Sequence, residues 1–75
     1  MLNDAGALVD IAKSELGRGR GVEIASGGTL SEIKDIELLA ESLIKIEWRD
    51  LSGLGIYSII PFSKISQMRI GKERV

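Results

Sequence analysis

Hydrophobic residues at the start of the chain follow the spacing of a helix. From Asp4 to Leu16 they recur at intervals of three and four residues, which places them along one face of a helical segment. Gly17 suits the left-handed position just beyond a helix end. The pattern predicts a helix over residues 3–17. Because so short a helix is marginal in water, it must pack on another part of the chain.

Three later runs of residues have the character of strands. Residues 22–26 alternate apolar and polar positions and end in a turn signal at Gly27-Gly28. Residues 43–49 alternate more regularly, and residues 56–60 form a second apolar run beyond a stretch with turn chemistry. These last two runs predict a β-hairpin over residues 43–60.

Beyond this hairpin the chain is predicted to turn and form one more strand. Pro61 has no N–H to donate to a strand ladder, so the strand ends there or lies at the edge of a sheet. Residues 62–65 are predicted to make a single turn, and residues 66–70 alternate as a last short strand. The final residues, 71–75, are predicted to form a tail.

The segment from Thr29 to Ile46 carries signals for two different structures. Thr29 and Glu32 match the capping box that begins many helices. The apolar residues of the segment also keep near-helical spacing, namely Leu30, Ile33, Ile36, Leu39, Leu43 and Ile46. The competing interpretation makes residues 29–37 the second strand of a hairpin that turns at Gly27-Gly28. The local pattern leaves both interpretations open.

Length and composition point to one domain that associates with other chains. A chain of 75 residues hides only about 60% of its unfolded surface on folding, so its core is thin. Disulfides cannot reinforce that core because there is no cysteine. Apolar residues make up 44% of the chain and there are nine glycines, together more than the roughly 45–50% usual for these residue types. We therefore expect a single domain over residues 1–75 that forms a homo-oligomer.

Charge is segregated along the chain although the net charge is only −1. Acids dominate residues 21–50, and cations dominate the stretches on either side. Such cations attract phosphates through charge and counterion release. The candidate nucleic-acid contacts are Arg18, Arg20, Lys64, Arg69, Lys72 and Arg74. Ordinary solubilising charge is the alternative interpretation. Few rings are available for stacking on bases, and of these Trp48 and Phe62 are predicted to lie in the core.

The residue types that ordinarily carry catalysis or bind transition metals are missing. Without histidine or cysteine, the remaining option for nucleophilic catalysis is a Ser-Lys pair. Ser42 and Lys45 have the spacing of one such pair, but its companion motifs are absent. Acids such as Asp35, Glu37 and Glu41 are typical of a solvated face, and their spacing is not that of a calcium loop. We expect no enzymatic activity, metal, cofactor or small-molecule substrate.

The start of the chain does not resemble a targeting segment. It lacks the positive start and long apolar run of a secretion signal, and no apolar stretch approaches the ~18 residues of a membrane span. We expect a cytoplasmic location and no membrane association.

Several short motifs follow one another in a recognisable order. Residues 22–24, the Gly27-Gly28 turn and residues 30–33 form a strand-turn-strand pattern, and residues 35–37 form an acidic element. Residues 64–67 read Lys-Ile-Ser-Gln between the last two predicted strands. Together with the N-terminal helix, this order resembles the Sm-like family, which includes bacterial Hfq. In that family a helix precedes five strongly bent strands, and the short turn between the last two strands carries an Ile-Ser element.

The resemblance implies an α+β protein that is mainly β. Its N-terminal helix would precede a small, strongly bent five-stranded barrel of the Sm or SH3-like type over residues 21–70. The alternative fold is a helix at residues 29–42 packed on a C-terminal β-meander. Pro61, Phe62 and Ser63 stand where Hfq has the Tyr-Lys-His triplet that contacts RNA, so the flanking cations are the expected contacts.

The resemblance and the charge pattern together predict a function. We expect an oligomeric protein that binds RNA or single-stranded nucleic acid. The rival is a protein-interaction or structural module that uses exposed hairpin edges or an apolar patch and has no nucleic-acid role; a phage or mobile-element origin is one option for it.

Overall fold

The described part of the chain forms one helix followed by five strands. The computed structural model describes residues 4–49, 52–53 and 55–73, with the main chain alone at Asp4, Lys72 and Glu73. In chain order the elements are α1 (Asp4–Gly17), β1 (Arg20–Ala25), β2 (Leu30–Ala40), β3 (Leu43–Trp48), β4 (Tyr57–Pro61), a 3₁₀ turn (Phe62–Lys64) and β5 (Gln67–Glu73). The prediction of a mainly β protein with an N-terminal helix is confirmed.

α1 covers one face of the sheet, where it packs on β1, β2 and β3. Its buried face consists of Ala5, Val9 and Ala12, which recur at the spacing of helical turns. These residues meet the buried strand residues Val22, Ile24, Ile33, Ile36, Ile44 and Ile46. The left-handed position beyond α1 falls on Gly19 (φ 79) and not on Gly17, because the helix continues through Gly17. Within the described residues, α1 lacks the length and apolar character that a membrane-spanning helix requires.

The strands form an antiparallel sheet in the order β4-β3-β2-β1-β5. β5 returns to pair with β1, so that Ala25 lies opposite Gln67 and Arg20 opposite Glu73. β4 and β5 are therefore the two edges of the sheet. A closed barrel would need these edges to pair, and in the described residues the sheet is open. The barrel closure implied by the family resemblance is not confirmed.

A strand, β2, occupies the segment for which a helix over residues 29–42 was one of the two predictions. It pairs first with β1, and its residues 33–40 pair with β3. The register of β2 against β3 shifts between Ile33 and Asp35, which accommodates one extra residue on β2. Because of that extra residue, Ile33 and Ile36 both face the core although they lie three positions apart. A bulged strand thus produced helix-like spacing, and the helical alternative is wrong.

The closing hairpin and the last strand follow the predicted order with one correction. Pro61 ends an edge strand, as the sequence indicates, and a single 3₁₀ turn follows it. β5 does not end at residue 70. It continues to Glu73 because Glu73 pairs with Arg20 of β1. Residues 71–73 therefore belong to a strand, and only residues 74–75 of the predicted tail lie outside the described residues.

Candidate nucleic-acid interface

Arg18 and Arg20 flank the joint between α1 and β1, and both lie near the carboxylate of Glu15. Arg20 Nη1 is 2.6 Å from Glu15 Oε2, whereas Arg18 Nη1 is 3.9 Å from Glu15 Oε1. The Glu15 side chain is only 15% exposed, and that of Arg18 is 62% exposed. Arg20 is therefore held against the helix end, and Arg18 is the more accessible of the two cations.

Arg69 is held on the outer face of the sheet by Glu23. It lies on β5 directly opposite Glu23 on β1. Its Nε and Nη2 atoms both donate to Glu23 Oε1, at 2.9 Å and 2.7 Å. Hydrogen bonds between charged groups are stronger than neutral ones. A phosphate that binds Arg69 must therefore compete with this carboxylate.

The remaining candidate cations divide between the two ends of the β1-β5 ladder. Lys64 is exposed at the end of the 3₁₀ turn, just before β5 pairs with Ala25 at the end of β1. Lys72 precedes Glu73 in β5, and Glu73 pairs with Arg20 at the start of β1. Lys72 therefore lies at the other end of the ladder. The side chain of Lys72 and the whole of Arg74 lie outside the described residues. The structure thus brings Arg18, Arg20 and the main chain of Lys72 to one end of the ladder and leaves Lys64 at the other.

Ion pairs continue across the outer face of the sheet. Lys34 on β2 lies 3.7 Å from Glu47 on β3, and Arg49 lies 4.0 Å from Glu32. These pairs are partly exposed, so each contributes little to stability. They do neutralise the local charge, and this part of the face is not a cationic surface.

The aromatic residues divide between the core and the outer face. Trp48 and Phe62 pack against the core, as predicted, and Trp48 Nε1 donates to Ser58 Oγ at 2.7 Å. Tyr57 is 54% exposed, and the Lys45 amine lies 4.6 Å from the centroid of its ring. Of these three rings, Tyr57 is the one that is exposed enough to stack on a base.

Ser42 and Lys45, the pair considered for catalysis, have different surroundings. Ser42 lies in the turn between β2 and β3, where its carbonyl accepts a hydrogen bond from Phe62 N at 2.6 Å. Lys45 instead places its amine over the ring of Tyr57. A depression of about 120 Å³ lies beside it, lined by Asp35, Ile36, Glu37, Lys45, Glu47 and Tyr57. Among the described residues, no group of acids is placed to hold a metal ion.

An exposed apolar patch was expected in general terms, and the structure places one on β4 and the residue before it. Ile56 is 50%, Tyr57 54% and Ile59 57% exposed, the three highest values among the large apolar residues described. Leu43 lies opposite Pro61 and is 37% exposed. The apolar run of residues 56–60 predicted a strand correctly. It could not show which side is buried, because its one Ser, Ser58, lies on the side that meets Trp48 and apolar residues lie on both sides.

Comparison with known proteins finds no relative of this chain. No family model, no characterised protein and no solved structure matches it. Its function is therefore inferred from the geometry of the described residues.

Proposed function

We propose that this protein is a homo-oligomeric, Sm-like small β protein that binds RNA or another single-stranded nucleic acid. The observation that carries the Sm-like part of the proposal is the turn between β4 and β5. The Ser66 N–H and hydroxyl both donate to the carbonyl of Ala25, at 2.9 Å and 3.2 Å. Ile65 N–H donates to the Phe62 carbonyl at 3.0 Å. These bonds tie the start of β5 to the end of β1.

The order of the elements supports the same proposal. A helix precedes five strands, and the short turn between the last two strands carries Ile65 and Ser66. This is the order that the resemblance to the Sm-like family implies. The bulges on β2 add support, because an extra residue bends a strand and increases its twist. Within this proposal the Ile-Ser turn is architectural, and the contacts to nucleic acid come from the cations beside it.

The proposed phosphate contacts follow the edge strand β5. Arg18, Arg20 and Lys72 stand at one end, Lys64 at the other, and Arg69 between them. The six residues of β1 span about 20 Å at ~3.3 Å per residue. An extended single strand lying along β5 can therefore meet cations at both ends, whereas a compact ligand meets only one end.

The nucleic-acid role is tested by fluorescence anisotropy with labelled single-stranded RNA over a series of salt concentrations. Replacing Lys64, Arg69 and Lys72 together with Ala is expected to weaken binding. The slope of log affinity against log salt should fall by about 2, since each phosphate contact on a single strand contributes ~0.7. Lys34→Ala is the control, because Lys34 is not one of the candidate phosphate contacts and pairs with Glu47. Absence of binding at low salt for every RNA offered would refute the nucleic-acid role.

A second candidate function is a protein-interaction module, and the apolar surface of β4 favours it. Contiguous exposed apolar residues mark binding surfaces more often than chance exposure does. A partner recovered on the immobilised protein after nuclease treatment and high salt supports this candidate. If Tyr57→Ala no longer binds that partner and the control Ile11→Ala, on α1, still does, the partner binds at β4.

A further inference from the structure

The free edge of β4 presents a defined set of main-chain groups. Trp48 N–H donates to the Ile56 carbonyl, and Phe62 N–H donates to the Ser42 carbonyl. Hydrogen-bonded positions alternate along an antiparallel ladder. The intervening residues of β4 therefore direct their main-chain groups away from β3, and these residues are Tyr57, Ile59 and Pro61.

The position of Pro61 follows from the same alternation. The N–H that proline lacks would have pointed to the free edge, so Pro61 costs the β3-β4 ladder nothing. The free edge consequently offers two donors, from Tyr57 and Ile59, and three carbonyl acceptors, from Tyr57, Ile59 and Pro61. By the same alternation, Gly55 would be the next residue to direct its main-chain groups to the free edge. Its φ of 70 is not an extended conformation, so the set of edge groups ends at Tyr57.

The two edges of the sheet differ in how they are protected against pairing. β4 and its neighbours, residues 56–62, contain no charged residue. Its pairing with β3 is regular, and its exposed side chains are apolar. β5 carries Arg69, Lys72 and Glu73, and its pairing with β1 is irregular between Arg20 and Val22. Charges, bulges and prolines are among the devices that keep an edge strand from pairing, and of these three β4 has only Pro61, at its end.

We propose that a second copy of this chain pairs with β4 through its own β4, around a two-fold axis at Ile59. In this antiparallel register Ile59 faces Ile59 of the other copy, and Tyr57 faces Pro61. The Ile59 pair makes two hydrogen bonds, and each Tyr57 N–H donates to the opposite Pro61 carbonyl, which gives four in all. This register satisfies all four outward N–H donors of the two strands while the five residues of β4 overlap along their whole length. Tyr57 and Ile59 of both copies form one continuous apolar strip.

Charge matching supports a second copy as the occupant. A self-complementary interface brings identical residues together, so any charge at its centre meets a like charge. The uncharged strand from Tyr57 to Pro61 meets this requirement. This inference rests on the homo-oligomer of the proposed function and specifies which strand forms it.

The test exploits the position of residue 59 on the two-fold axis. Sedimentation equilibrium of the full chain up to submillimolar concentration is expected to show a dimer. Ile59→Lys and Ile59→Glu are each expected to be monomeric, because like charges then face each other. An equimolar mixture of the two variants is expected to restore the dimer as a heterodimer. Across the β3-β4 ladder residue 59 faces Lys45, so Ile59→Glu gains an opposite charge there and Ile59→Lys a like charge. Circular dichroism of each variant alone therefore checks that both are folded before they are mixed.

Two controls separate this pairing from other assemblies. Ile11→Lys on α1 replaces a similarly exposed isoleucine (49% exposed), and Gln67→Lys adds a charge to the β5 edge. Both are expected to remain dimers. Three results would overturn the two-fold pairing and leave homo-oligomerisation standing. They are a ring larger than a dimer, dissociation of the Gln67→Lys variant, and no heterodimer in the equimolar mixture. A monomer at all concentrations overturns both, and RNA binding by the same samples reports separately on the nucleic-acid role.

Discussion

Glu23 is expected to restrain the candidate nucleic-acid contact Arg69, so removing its charge should strengthen RNA binding. Both hydrogen bonds from Arg69 end on one oxygen of Glu23. The Arg69 side chain is 59% exposed and that of Glu23 30% exposed, so solvent screens the pair. Exposed pairs of this kind are worth roughly 0.2–1 kcal/mol. Glu23 also lies opposite Glu32 on β2, and loss of that like-charge contact offsets part of the cost.

These figures bound the expected effect of Glu23→Gln. Releasing Arg69 from a competitor worth roughly 0.2–1 kcal/mol tightens RNA binding about 1.4- to 5-fold at most. Arg69 already counts among the proposed phosphate contacts, so the slope of the salt dependence should change by less than the ~0.7 of one contact while the affinity rises. Stability, followed by urea unfolding, should change by less than about 1 kcal/mol. Fluorescence anisotropy with labelled single-stranded RNA measures both the affinity and its salt dependence.

The matched control for this experiment is Glu37→Gln on β2. It makes the same change in net charge, from −1 to zero, at an exposed position opposite Lys45 and away from Arg69. A general charge effect strengthens binding equally in both variants. If the two variants bind RNA alike, or if Glu23→Gln binds more weakly while still folded, Arg69 is not a phosphate contact restrained by Glu23.

Three further substitutions test the fold. Ile46→Ala, at a fully buried position, should lower the free energy of unfolding by about 2–5 kcal/mol. Urea unfolding followed by the fluorescence of Trp48, the single tryptophan, measures this change. A cost typical of surface positions would contradict the place of Ile46 in the core. Ser58→Ala removes the acceptor of Trp48 Nε1 and should cost about 1 kcal/mol in the same assay. Gly28→Ala, at φ 114, should lower the thermal midpoint, whereas Gly17→Ala, with open space around it and no positive φ, should not.

The elements whose apolar residues recur at a constant interval were predictable from the sequence. α1 could be read from three- and four-residue spacing, and β3 from strict alternation, because each buries one face along its whole length. Pro61 identified an edge strand, since a proline is tolerated there without loss of a ladder hydrogen bond. The sequence located the candidate cations along the chain but did not show their surroundings.

Only the tertiary structure decided that the β2 segment is a strand and not a helix. The bulge after Ile33 changes the interval between core residues from two to three, which is close to helical spacing. The tertiary structure also decided which cations are neutralised. Glu15 and Glu23 reach Arg20 and Arg69 through a helix-strand joint and a strand pairing, and neither partnership shows in the local sequence. The pattern of apolar residues thus determined that a helix and a β-sheet form. Only the order and the register of the strands, which are long-range properties, determined which side chains meet and which strands form the edges of the sheet.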